Sequence, residues 1–248
     1  MSLCRKKCGL LIIGNEILSG RTVDTNSNFF CSELTKYGND VKEIAVVSDE
    51  KKEIVKKVRE FSDKYDYVFT SGGIGPTHDD ITNDSLATAF KRKLTYNKKA
   101  KELLSKHYEG NELTKARLKM SLLPENVVLI NNPVSIAPGY IIENVHVFPG
   151  VPSILKVMLI EFLNFRFKKN IKPQKTISTS LPEGVIGEFI EKIQLQNKKV
   201  DIGSYPYFKN NNFGVSLIIR SEDSFLLNTV CDEIIQYLCL NDGNPKIF

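Results

Sequence analysis

The run Thr70-Ser71-Gly72-Gly73-Ile74-Gly75-Pro76-Thr77-His78-Asp79-Asp80-Ile81-Thr82 concentrates the residue types that phosphate chemistry needs. Three glycines follow directly on an apolar segment and lead into a helix that Thr82 or Asn83 could cap. Such a loop can turn successive backbone N–H groups toward one point, where a helix N-terminus adds positive potential. No Gly-Lys-Ser/Thr follows, so it is not a Walker loop, and it does not match GxGxxG either. Taken alone, these residues leave two readings open, a phosphate cradle or a tight strand-to-helix turn.

The acids sharpen the choice. Glu16, Asp24, Asp49, Asp79 and Asp80 each follow a segment read as a strand, or open the helix after it. In a parallel sheet these positions share the carboxyl edge, where open α/β sheets bind ligands. Singly, Asp24 and Asp49 also suit helix N-caps, and Asp79 or Asp80 could be plain solvated charge. Together they pose an electrostatic problem, because unit charges ~4 Å apart interact by ~4 kcal/mol at an effective dielectric of ~20. Carboxylates beside a phosphate cradle repel the ligand unless a cation lies between. Mg²⁺, which binds through one or two carboxylates plus phosphate oxygens, suits that arrangement. The expectation is a metal-assisted phosphate site.

The elements that must position these residues are legible as alternating periods. Cys8–Ile13, Val41–Val47 and Tyr67–Ser71 read as buried strands, and Asn26–Tyr37, Ser48–Phe61 and about Asn83 to Arg92 as helices between and after them. Strands alternating with amphipathic helices imply parallel pairing with helices on both faces. Lys98–Tyr108 and Leu113–Leu122 read as charged helices packed at an edge, Val127–Ile130, Tyr140–Ile142 and Val145–Phe148 as short strands, and Ser153 to Lys168 as a long helix. The basic, proline-containing stretch Lys168–Lys175 reads as a linker. Beyond it, Thr176–Leu181, Gly184–Gln196, Val200–Tyr205, Phe213–Arg220 and Ser224–Leu240 give a β-α-β-β-α order. The expected division is a first domain over residues 1–170 and a small α+β domain over 171–248.

Composition excludes several classes. With 248 residues, 42% hydrophobic and 25% charged, the chain is neither disordered, collagen-like nor a small disulfide scaffold. Five cysteines (Cys4, Cys8, Cys31, Cys231, Cys239) show no CxxC pair, and three scattered histidines (His78, His107, His146) offer no zinc spacing. Free thiols in a reducing cytosol are expected. Arg5, Lys6 and Lys7 precede the apolar run Leu10–Ile13, but Asn15 and Glu16 end it short of the ~7–15 residues of a signal peptide. No stretch reaches the ~18 apolar residues of a membrane span, so a cytoplasmic location is expected. A net charge of +5 is too weak to imply a nucleic-acid partner.

Ordered along the chain, Gly14-Asn15-Glu16-Ile17-Leu18-Ser19-Gly20, Asp24-Thr25-Asn26, the Ser71–Thr82 run, Ala137-Pro138-Gly139 and Pro149-Gly150-Val151-Pro152 resemble the molybdopterin-binding (MoCF-type) domain over residues 8 to about 165. The nearest branch comprises the N-terminal domains of competence/damage-inducible protein CinA and of FAD synthase. Residues 176–240, with Gly203-Ser204-Tyr205-Pro206, are similar to the small domain that follows there. The resemblance implies a three-layer α/β/α sandwich with a mostly parallel sheet, and homo-oligomers. It also implies metal-dependent hydrolysis of dinucleotide pyrophosphates such as ADP-ribose or FAD, with Mg²⁺, Mn²⁺ or Co²⁺, or else molybdopterin binding.

Carried onto this sequence, the resemblance makes Ser71, Gly72, Gly73, Gly75, Pro76 and Thr77 phosphate-holding, with Asn26, Pro138, Gly139, Pro149 and Gly150 around the substrate. Asp80 would be the chief catalytic or metal-binding acid, Asp49 would support catalysis, and Asp24, Asp79 and Glu16 would support the metal. Ser135-Ile136 replace an expected Gly-Thr, and Ile154 replaces the Glu usual in CinA proteins, in loops expected to border the organic end of the ligand. No segment corresponds to the amidase domain of CinA or the adenylyl-transferring domain of FAD synthase, so neither activity is expected.

Three functions compete: a nucleotide pyrophosphatase, a non-catalytic pterin-binding module, and an RNA-binding small domain. The last rests on Gly184-Val185-Ile186-Gly187, which satisfies the GxxG of KH domains. Glu183 and Glu188 flank it with the wrong charge for a phosphate clamp. The aromatic run Tyr205-Pro206-Tyr207-Phe208 reads as hairpin core or as a cover for a neighbouring subunit's pocket.

Overall fold

The computed structural model describes residues 5–108, 113–209 and 212–248, and Cys4 lies outside them. The chain divides into two compact units, Met1–Asn170 and Ile171–Phe248.

In the first unit the elements run β1 (Lys6–Ile13), α1 (Asn15–Leu18), α2 (Asn26–Lys36), β2 (Asn39–Val47), α3 (Lys51–Lys64), β3 (Tyr67–Ser71) and α4 (Thr82–Ala89). There follow β4 (Leu94–Tyr96), α5 (Lys98–His107), α6 (Lys115–Lys119), β5 (Leu122–Pro124), β6 (Val128–Ile130), β7 (Gly139–Ile142), β8 (Val145–Phe148) and α7 (Pro152–Arg166). The main sheet has the order β2-β1-β3-β8-β7-β6. β1 pairs in parallel with β2 and β3, and β3 with β8, while β7 runs antiparallel to both its neighbours.

The alternation of side chains along β1 builds the three layers. Leu11 and Ile13 join Ile54, Val58 and Phe61 of α3 and Leu86 of α4 on one face. Cys8, Leu10 and Ile12 join Phe30 and Leu34 of α2 and Leu155, Met158, Leu159 and Leu163 of α7 on the other. Cys8–Ile13 is buried throughout, as expected of a strand covered on both faces. The helix expected over Leu113–Leu122 is shorter than its charge pattern suggested. Only Lys115–Lys119 is helical, because Leu122–Pro124 is drawn into an antiparallel ladder with Leu94–Tyr96.

In the second unit β9 (Gln174–Thr179), α8 (Glu183–Gln196), β10 (Val200–Lys209), β11 (Asn212–Ser221), α9 (Ser224–Leu240) and β12 (Lys246–Ile247) form an antiparallel sheet of order β10-β11-β9-β12. Both helices contribute to one core, including Ile186, Ile193, Val230 and Ile234. Gly184 and Gly187 lie in the first turns of α8 rather than in a loop, so no backbone clamp of the KH kind forms there. Tyr205, Tyr207 and Phe208 are exposed, and Phe208 meets Phe213 across the hairpin at 4.5 Å between ring centroids. They are not hairpin core.

Candidate active site

Strands β1, β2, β3 and β8 end in register, with Ile13 opposite Val47, Ile12 opposite Ser71 and Ser71 opposite Phe148. The chain leaves each strand at the same rim, which brings Gly14–Glu16, Asp49, Gly72–Asp80 and Pro149–Pro152 together.

The glycines are there because backbone must pass close to backbone. Gly72 has φ +113°, and a Cβ on it would lie 2.1 Å from the carbonyl oxygen of Ile13. Gly73 has φ +69°, and its Cβ would lie 2.2 Å from Thr82 Oγ1. The N–H of Gly72 donates to Phe148 O at 3.2 Å, so this residue shapes the turn rather than offering a donor. Among the described residues, none accepts a hydrogen bond from the N–H of Gly73, Ile74 or Gly75. These are the free backbone donors of the loop. Thr82 and Asn83 do not cap α4 as the sequence suggested. Thr82 Oγ1 donates to Gly72 O at 2.9 Å, locking the loop, and Asn83 bridges Leu122 O and the Tyr140 hydroxyl.

Asp80 faces this loop. Its Oδ2 accepts from Thr77 N at 2.7 Å and from Thr77 Oγ1 at 2.6 Å, and a Cβ on Gly75 would lie 2.7 Å from the same oxygen. Asp79 Oδ1 is also 2.6 Å from Thr77 Oγ1. One hydroxyl proton therefore serves two carboxylates. The Thr77 hydroxyl, and after it the backbone N–H of Asp79 itself, holds the Asp79 carboxyl below its ordinary value. Lys119 Nζ donates to Thr77 O and brings positive charge beside the pair.

The other acids are engaged differently. Asp49 Oδ2 accepts from Asn15 N at 2.8 Å and its own N–H reaches Asn15 Oδ1 at 3.3 Å, a clasp between the ends of β1 and β2. The Glu16 carboxylate curls over Gly14, where a Cβ would lie 2.6 Å from Oε1. Asp24 Oδ1 accepts from Ser27 N at 3.0 Å and its Oδ2 from the Ser27 hydroxyl, so it finishes the start of α2. Among the described residues, no three His, Cys, Asp or Glu side chains converge as a metal-binding group. Asp24, Glu16, Asp79 and Asp80 are thus not brought together as one ligand set. What the structure does bring together is the Asp79–Asp80 pair beside the bare loop. That all-oxygen donor set fits a hard cation completing its shell from phosphate and water.

These groups line a cavity of about 650 Å³, within the usual size range of small-molecule sites. Gly72–Thr77, Asp79 and Asp80 line it together with Glu16, Asp49, Pro149 and Gly150. Ser135, Ala137 and Ile154 also line it, at the loops expected to border the ligand. Asn26 and Ser71 sit behind the wall. Asn26 Nδ2 donates to Ser71 Oγ at 3.0 Å and to Gly150 O at 2.8 Å, and Ser71 Oγ donates to Pro149 O at 3.2 Å. They rivet the β3 and β8 ends, next to a niche of about 50 Å³ shared with Asp24. Pro138 and Gly139 do not line the main cavity. Gly139 is bare because a Cβ would lie 2.4 Å from Val147 O. Tyr108 and Met120, which sequence reasoning missed, form part of the lining. Nothing in the charged segments around them marks them for that position. A separate cavity of about 390 Å³ at Tyr67, Glu143, Asn144 and Arg166 lies at the opposite end of the strands, away from the glycine loop.

Comparison with known proteins shows the family. The profile of the probable molybdopterin binding domain matches residues 9–169, and that of the FAD synthase middle domain matches residues 174–241. A probable FAD synthase from Caenorhabditis elegans is 34% identical over 260 aligned positions, covering 94% of this chain and 50% of its own. A CinA-like protein from Fusobacterium nucleatum is 38% identical over 218 positions, covering 87% of this chain and 54% of its own. The chain spans about half the length of these two relatives. The crystal structure of a CinA protein of unknown function from Thermoplasma acidophilum superposes with a TM-score of 0.60 at 36% identity, covering 65% of this chain and 97% of that one.

Proposed function

The chain belongs to the molybdopterin-binding-domain family, and we propose that this member is a divalent-metal-dependent hydrolase of nucleotide pyrophosphates of the ADP-ribose or FAD type, releasing AMP. The observation that carries the reading is Asp80, turned toward the bare Gly75 beside three unengaged backbone N–H groups at the carboxyl rim of the sheet. Relatives named for FAD synthase, whose product is itself a dinucleotide pyrophosphate, support that substrate class.

The N–H groups of Gly73, Ile74 and Gly75 bind diphosphate oxygens. Asp79 and Asp80 would hold a bound Mg²⁺, Mn²⁺ or Co²⁺ ion, which supplies charge neutralisation and acidification of water. Thr77 fixes Asp80 by donating twice to Oδ2, leaving Oδ1 to accept a hydrogen bond from the attacking water and orient it. A water oxygen–phosphorus bond forms on the adenylyl side as the water's proton passes to Asp80 Oδ1, the bridging phosphorus–oxygen bond breaks, and the other monophosphate departs from AMP.

A non-catalytic pterin- or nucleotide-binding module is the second reading. The unengaged N–H groups of Gly73, Ile74 and Gly75 would serve a pterin monophosphate without hydrolysis as well as a diphosphate. AMP release from ADP-ribose, FAD, NAD and CoA, each with Mg²⁺, Mn²⁺, Co²⁺ or chelator, separates the two. The hydrolase yields AMP from at least one dinucleotide and loses it with chelator. Tight pterin binding with no AMP from any substrate would establish the module instead.

A further inference from the structure

Resting on that hydrolase reading, we infer that Tyr108 is the stacking platform for the heteroaromatic base of the substrate, so that the site selects diphosphates carrying a planar ring. The cavity has two chemically distinct parts. One is the glycine loop with Asp79 and Asp80; another is a wall formed by Tyr108, just after α5, and Met120, just after α6. Neither residue bears a charge that a phosphate would seek. Both suit a flat ring, Tyr108 as an aromatic side chain and Met120 as a polarizable thioether.

The ring is held in place before any ligand arrives. The Arg117 guanidinium lies 4.1 Å from the Tyr108 ring centroid, over the ring, and the His107 ring stands nearly perpendicular to it with centroids 4.9 Å apart. Arg117 is itself placed by α6, whose start is capped by Thr114 Oγ1 accepting from Arg117 N at 3.2 Å. A side chain already fixed on two sides gives up little freedom on binding. The wall is also tied to the reacting end. Lys119, between Arg117 and Met120, donates through Nζ to Thr77 O, and Thr77 is the residue that holds Asp80. Lys119 and the Asn83–Leu122 hydrogen bond thus tie the segment that carries the wall to the segment that carries the acid pair.

Stacking is indifferent to which base is offered, since every base has a π face. The site should therefore accept adenine and flavin dinucleotides alike and discriminate against diphosphates without a ring. The chain contains no tryptophan, so Tyr108→Trp creates a single fluorescent reporter at the platform. Dissociation constants for ADP-ribose, FAD and inorganic pyrophosphate are measured for the full chain and for Tyr108→Ala, Tyr108→Phe and Tyr108→Trp. Tyr108→Ala is expected to weaken ADP-ribose and FAD about 10- to 100-fold, with Phe and Trp restoring affinity and pyrophosphate unaffected throughout. FAD quenches the Tyr108→Trp emission and pyrophosphate does not. Unchanged dinucleotide affinity in Tyr108→Ala, equal weakening of pyrophosphate, or no dinucleotide binding at all overturns the platform. FAD binding with this pattern but no AMP release keeps the platform and refutes the hydrolase. AMP release with unchanged affinity in Tyr108→Ala does the reverse.

Discussion

Replacing Gly75 by alanine adds one methyl group and isolates the geometry of Asp80 from the stability of the fold. The new Cβ would stand 2.7 Å from Asp80 Oδ2 and 3.1 Å from both Cγ and Oδ1. Non-bonded heavy atoms prefer about 3.5 Å, so the carboxylate must retreat by roughly 0.8 Å. Its bonds to Thr77 N at 2.7 Å and Thr77 Oγ1 at 2.6 Å would then stretch beyond useful length. Misplacement of about 1 Å costs a reacting group on the order of 10²-fold. Gly75 has no left-handed backbone to lose, and alanine restricts the unfolded chain, so stability should change by less than about 1 kcal/mol. Gly72→Ala is the contrast. Its φ of +113° and the 2.1 Å approach to the Ile13 carbonyl oxygen mean that the backbone itself must move, and the fold should suffer. AMP release and thermal unfolding, measured on both variants, check the pair. Gly75→Ala with wild-type turnover would refute the placement of Asp80 in the reaction.

Two further outcomes follow from the protonation chemistry. Thr77→Val removes the hydroxyl that lowers the Asp79 carboxyl while leaving the backbone N–H to Asp80. The Asp79 pKa should rise, and the acid limb of the pH–rate profile for AMP release should move to higher pH; an unmoved limb would separate Asp79 from the reaction. Burial holds the His146 imidazole down at about 4, with its Nδ1 3.3 Å from Val68 O. Its stabilising contribution is complete above the unfolded value near 6.5, because only the unfolded chain takes up the proton between 6.5 and 4. As pH falls through that window, about 3 kcal/mol is lost. Denaturant unfolding against pH should show this slope, and His146→Phe should flatten it.

What was legible in the chain was what local pattern encodes. Tyr67–Ser71, Val145–Phe148 and Ser224–Leu240 fall where the apolar runs and helical period place them. The acids do reach one rim, because strand ends in a parallel sheet must. The same reasoning failed wherever a partner distant in sequence decides. Leu122 pairs with Tyr96 across an intervening helix pair, which no window around Leu122 reveals. The sequence motif sets Asp24 among the metal ligands, yet both of its oxygens accept hydrogen bonds from Ser27. Gly139 matched a motif at a substrate loop, but the nearness of Val147 explains why it is bare. Tyr108 ends an ordinary charged helix, and only the folded chain sets it over the cavity.

The most direct measurement is the rate of AMP release from ADP-ribose or FAD by Asp80→Ala beside the unaltered protein, with divalent metal present and thermal unfolding recorded on both. The account predicts a fall of about 10²- to 10⁴-fold at unchanged melting temperature. Release of AMP at the unaltered rate would contradict it.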